Sequence, residues 1–139
     1  MARRFVTSLI TLALVLLLPT VLNAQQNFLF RVEVPFNFIA GGTHVPAGEY
    51  LVFHATPTLL QIIEKDGHAA AYIPVTPSAM ASGDERNVLT FNRYGDTYFL
   101  AQVSTSHDRQ VHQCDRCRAE KILSAESPRQ RVTVAAISR

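Results

Sequence analysis

The chain has 139 residues, enough for one domain built around a single core. Its 13 Lys+Arg against 11 Asp+Glu give a formal charge of +2, too small a surplus to draw the protein to nucleic acid or anionic lipid. Two cysteines allow at most one intramolecular disulfide.

Met1-Ala2-Arg3-Arg4 is basic, and Phe5 to Leu18 is apolar apart from Thr7, Ser8 and Thr11. Pro19 breaks that run, and Leu22-Asn23-Ala24 before Gln25 places a small residue at a cleavage point. A basic start, a short apolar stretch and a small residue at the cut predict a signal peptide over residues 1–24. The alternative is an uncleaved anchor. The apolar stretch is shorter than the roughly 20 residues that cross a bilayer, although Leu22 is large for its place in a cleavage site. Cleavage removes Arg3 and Arg4 and leaves 115 residues in which basic and acidic side chains are equal in number. The expectation is a secreted or periplasmic protein in an oxidising compartment, with no membrane attachment after cleavage.

Residues 25–139 read as a single exported β-domain, with its core over about 27–105. Phe28, Phe30, Val32, Val34, Phe36 and Phe38 alternate with other residues, which predicts an extended segment with six apolar side chains on one face. Pro35 places that strand at an edge or bends it. Gly41-Gly42 and Val45-Pro46-Ala47-Gly48 predict turns, and Tyr50 to His54 the next strand. Leu59 to Glu64 and Ala70 to Val75 flank Lys65-Asp66-Gly67-His68, a tight-hairpin signal. Pro77 to Glu85 reads as an exposed loop. A second hairpin joins Asn87–Arg93 to Thr97–Val103 through Tyr94-Gly95-Asp96. Short strands spaced by turns point to a mainly β fold, a small antiparallel β-sandwich or barrel.

The C-terminal segment 106–139 differs in character. Ser106 to Gln113 is polar and loop-like. Asp115 to Glu126 predicts a short helix, capped by Asp115 or Ser106, with Ala119, Ile122, Leu123 and Glu126 at helical spacing. Ser127-Pro128 ends it, and Arg131 to Ile137 offers a last strand. Seven basic residues here, from Arg109 to Arg139, are interleaved with Asp108, Asp115, Glu120 and Glu126, which suggests a solvated mixed-charge face.

Val34-Pro35-Phe36-Asn37-Phe38, Gly41-Gly42 and Val45-Pro46-Ala47-Gly48-Glu49-Tyr50, with Leu89 to Leu100, resemble a group of small secreted proteins of acidobacterial type. Their pattern runs VPFxF, LPAGxYxV and FxRYGxxYFL. The resemblance implies export and a compact β-domain, and it carries no activity. Val45 stands where leucine is usual, and Cys114-Asp115-Arg116-Cys117 is not part of the pattern. Most of these motif residues read as core and turn, and the alternative is a ligand groove lined by Phe36, Phe38, Tyr50, Tyr72, Tyr94 and Tyr98.

Cys114 and Cys117 are the sharpest local feature, and three readings stand. The simplest is a disulfide between them, closing a loop too short to stabilise much. The second is a redox dithiol, with the helix N-terminus and Arg116 favouring a thiolate. The third is a zinc or copper site, because His107, His112, Cys114 and Cys117 are suitable ligand types in one segment. His44, His54 and His68 are scattered. Ser104, Ser106, His107 and Asp108 carry the residue names of a hydrolase triad without the geometry. No phosphate-binding loop, nucleophile elbow or HExxH is present. The expectation is therefore a non-enzymatic binding or structural module of the cell envelope or extracellular space, with no cofactor and an envelope or protein partner. Exposed strand edges would allow partner binding by strand addition.

Overall fold

Pro35 divides the long alternating run into two strands. In the computed structural model, which describes residues 27–78, 86–106 and 109–137, β1 (Asn27–Val34) stops just before it and β2 (Phe38–Ala40) follows it. Residues 1–24, predicted as a signal peptide, residues 79–85 of the predicted loop, and His107 lie outside the described residues. The order continues β3 (Thr43–Val45), β4 (Gly48–Thr56), β5 (Leu59–Glu64), β6 (Ala69–Ser78), β7 (Val88–Tyr94), β8 (Thr97–Ser104), β9 (Val111–Cys114), α1 (Arg118–Glu126) and β10 (Gln130–Ala135). The predicted hairpins form as β5–β6 and β7–β8.

The strands lie in the order β1-β4-β5-β6-β9-β8-β2-β3, with β7 beside β8 and β10 beside β7. All pairings are antiparallel except the short contact of β2 with β8 at Ile39 and Phe99, so the sheet is mixed. Strand β6 turns the corner: Ala69 to Pro74 pairs with β5, and Val75 to Ser78 with β9. Pro77 and Ser78, predicted as loop, therefore belong to a strand. The sheet folds onto itself as a sandwich without closing. Ile137 N–H donates to the Arg31 carbonyl at 2.9 Å where the β10 end meets β1.

Between the two faces lies one core of Phe30, Val32, Val34, Phe38, Val52, Leu60, Ile62, Ile73, Leu89, Phe91 and Val103. Phe38, Phe91 and Tyr50 meet edge to face at 5.2 and 5.8 Å. A smaller cluster of Ile39, Tyr94 and Phe99 sits under α1. The β2–β3 turn packs on β6: a Cβ on Gly41, whose φ is +57°, would lie 2.3 Å from the Tyr72 carbonyl oxygen. Only glycine tolerates both that φ and that approach.

Local expectations fail in three places. Leu29 forms a bulge, since Phe28 pairs with Phe53 and Phe30 with Val52. The extra residue reverses the alternation, so Phe28 leaves the core face and stands on the outer one. Second, the end of the loop predicted over Ser106 to Gln113 is part of a strand, Val111 to Cys114, held between β6 and β8. Third, α1 begins at Arg118, and its N-cap is Cys117, whose side chain makes no capping bond; neither Asp115 nor Ser106 caps it. Its buried residue is Glu120, whereas Ile122, from the predicted apolar stripe, is exposed.

Candidate functional site

The Cys114–Cys117 disulfide is not formed, and both cysteines are free thiols. The reason lies in the strand's alternation. His112 and Cys114 point from β9 into the main core, and the Asp115 N–H donates to the Pro74 carbonyl at 3.2 Å, which holds the strand end. The chain then crosses to α1, where Cys117 packs against the separate Ile39–Tyr94–Phe99 cluster and its carbonyl accepts from Lys121 N–H. The two sulfurs thus belong to different hydrophobic clusters. Burial, with Asp115 and Glu120 nearby, pushes the Cys114 thiol up to about 12, so it stays protonated and a poor nucleophile.

Among the described residues no group of three or more His, Cys, Asp or Glu side chains converges on a point that could hold a metal. Of the predicted ligands, His112 and Cys114 share one face of β9, Cys117 lies in the other cluster, and His107 is outside the described residues. The structure instead brings His112 against His54 of β4, edge to face at 4.6 Å between ring centres. Sequence spacing gave no hint of that contact, since 58 residues separate the two histidines along the chain.

A second polar group is walled in beneath α1. The Glu120 carboxylate accepts from Asn92 Nδ2 at 2.8 Å and from the Tyr94 hydroxyl at 3.3 Å. All three side chains are buried, and Asn92 Oδ1 has no hydrogen-bond partner among the described residues. Burial raises the Tyr94 phenol above its ordinary value and the Glu120 charge adds to that, against Arg116 and Arg129. The acid predicted for a solvated face is therefore an anchor of the helix to β7.

The six rings proposed for a groove do not share one. Phe38, Tyr50 and Tyr94 are core residues, and the Tyr50 hydroxyl is bound to the Pro46 carbonyl. Phe36 stacks on Tyr98 at 3.9 Å, and the Arg93 guanidinium lies 5.3 Å from the same ring. Beside them is an open cleft of about 400 Å³, bounded by Phe38, Val45, Pro46 and Tyr98 with His44 and Asp96. Tyr72 stands exposed on the outer face of β6, between buried Ala71 and Ile73.

That outer face carries what the sequence did not reveal. Pairing registers align Phe28 with Phe53, Phe53 with Gln61, and Gln61 with Tyr72, one straight row across β1, β4, β5 and β6. The chain neighbours Val52, Leu60, Ile62, Ala71 and Ile73 face the core, and the bulge at Leu29 turns Phe28 away from it, so the row faces outward. Phe28 is 55% and Tyr72 52% exposed. Phe28 meets Phe53 edge to face at 5.3 Å, and Gln61 Nε2 donates to the Tyr72 hydroxyl at 2.9 Å. Half-buried Leu51, Leu59 and Ile63 flank the row. The charged residues stand toward one end of this face: Arg31 and Lys65 both pair with Glu49, and Glu33 of β1 lies beside Glu49.

Comparison of the chain with family models, with curated proteins and with solved structures returns no match.

Proposed function

We propose that the chain is an exported, non-enzymatic β-domain that serves as a binding module of the cell envelope or extracellular space. Residues 1–24 direct export and are cleaved, in keeping with the resemblance to small secreted proteins of acidobacterial type. The observation that carries this reading is the division of side chains between inside and outside. Cys114, His112 and Glu120, which have the chemistry for catalysis, are each at most 4% exposed. Among the described residues, the large aromatic rings left in solvent are Phe28 and Tyr72, on one sheet face. Exposed aromatic patches on a soluble domain mark surfaces used for binding.

The other reading, a redox or metal-handling protein using Cys114 and Cys117 with His107 or His112, loses support from the same division. A dithiol needs its two sulfurs within bonding reach and the attacking one as thiolate. Here the thiols sit in separate clusters, and one is held protonated.

The full-length chain, expressed with its own N-terminal segment, tests the proposal. We expect it in the periplasm or medium, with Gln25 at its N-terminus, no bound metal and no reduction of a disulfide substrate. Retention in the cytoplasm with residues 1–24 intact, or catalytic disulfide exchange, would overturn the proposal.

A further inference from the structure

We infer that the outer face of β1, β4, β5 and β6 is a platform for a neutral polysaccharide chain, laid along Phe28, Phe53, Gln61 and Tyr72. The inference rests on the binding-module reading and names the ligand class.

Strands in a sheet lie about 4.8 Å apart, so the row spans about 14 Å from Phe28 to Tyr72 and can seat more than one sugar ring. A pyranose has apolar C–H faces and a rim of hydroxyls. Its face matches an exposed aromatic ring, and its rim requires hydrogen-bonding groups between the rings.

The row supplies both. Phe28 and Tyr72 offer exposed rings at its two ends, with Phe53 supported by Phe28. Gln61 lies between them, 6% exposed, its carbonyl oxygen buried and without a partner among the described residues. Because the Tyr72 hydroxyl accepts from Gln61 Nε2, its own proton is directed elsewhere and can be donated to a ligand oxygen.

Other occupants fit less well. An apolar protein face, or a second copy of this chain, would stack on the rings but leave the exposed Tyr72 hydroxyl proton without an acceptor, which opposes binding. An anionic ligand finds no cation in the row, and Arg31 and Lys65 are already engaged by Glu49.

The test is affinity electrophoresis of the full-length exported protein through gels containing soluble xylan, mixed-linkage β-glucan or dextran. Retardation by at least one is expected. Phe28→Ala and Tyr72→Ala remove exposed rings, and each should weaken binding about tenfold through loss of one stacking contact. The double variant should migrate as in a sugar-free gel while its circular dichroism and melting temperature stay near the parent's. Gln61→Leu separates ligand classes: it weakens binding to a sugar and leaves or strengthens binding to an apolar surface. His44→Ala, in the cleft, should have no effect.

Retardation that survives the double variant overturns the platform and leaves the module reading intact. Retardation by none of the three polysaccharides overturns the ligand class, and the module reading then stands or falls on its export and turnover assays. Concentration-dependent dimerisation abolished by Phe28→Ala and Tyr72→Ala, without retardation, assigns the face to a second copy and overturns the inference.

Discussion

Replacing Glu120 should undock the short helix, and the loss can be worked from its contacts. Glu120→Ala leaves Asn92 Nδ2 and the Tyr94 hydroxyl, both on buried side chains, without the acceptor they share. Each buried donor stranded in this way costs about 1–3 kcal/mol, so the pair accounts for about 2–6 kcal/mol. Water entering the vacated space and relief of a buried charge recover part of this, and a net loss of about 3 kcal/mol is expected. Glu120→Gln keeps an oxygen for both donors and should lose only about 1 kcal/mol. Urea unfolding reads the difference. With m near 1–3 kcal/mol/M for a domain of this size, Glu120→Ala should move the midpoint down by about 1–3 M. A double-mutant cycle with Asn92→Ala should give a coupling of about 0.5–3 kcal/mol. Glu120→Ala within about 0.5 kcal/mol of the parent would refute the anchor. A Gln variant as unstable as the Ala variant would show that charge, and not the shared acceptor, carries the contact.

Under native conditions a thiol reagent should label Cys117, which is half-buried, and spare Cys114. Labelling both before unfolding, or neither after it, would contradict the separation of the two clusters. Stability should fall in alkali. Cys114 keeps its proton when folded and releases it above its ordinary value of 9.0 when unfolded, so stability holds below pH 9 and declines toward pH 12 by up to about 1.4 kcal/mol per pH unit. The raised phenols of Tyr50 and Tyr94 act in the same direction above pH 10. Cys114→Ala should flatten this slope in urea titrations at pH 8 and pH 10.5, and an unchanged slope would remove Cys114 from the account. Gly41→Ala should destabilise more than Gly42→Ala. Both have positive φ, a strain of about 1–2 kcal/mol, but only at Gly41 does the new methyl meet a backbone oxygen. Equal melting temperatures for the two variants would show that the β2–β3 turn does not press on β6.

The fold was legible where local rules act alone. Asp66-Gly67 and Tyr94-Gly95-Asp96 announce hairpins, Pro35 announces the break in the first run, and alternation names Phe30, Val32 and Val34 as core. Legibility ended where a long-range partner decides. One bulge residue, Leu29, sent Phe28 to the opposite face. Strand β9 has four residues, two of them polar, and exists because β6 and β8 provide edges for it. Glu120 is buried because Asn92 and Tyr94, 28 and 26 residues away, satisfy it. The row from Phe28 to Tyr72 needs three pairing registers at once, which no local pattern specifies. The cysteine spacing invited a bridge, but strand direction on one side and the helix start on the other pull the sulfurs into separate clusters.

The most direct test of the proposed platform is an amide chemical-shift titration of the isotopically labelled protein with the polysaccharide that retards it. The account predicts shifts gathered on β1, β4, β5 and β6 around Phe28, Phe53, Gln61 and Tyr72, with Val111 to Arg118 unmoved. Shifts centred on Cys114 and Cys117, or on the cleft at His44 and Tyr98, would contradict it.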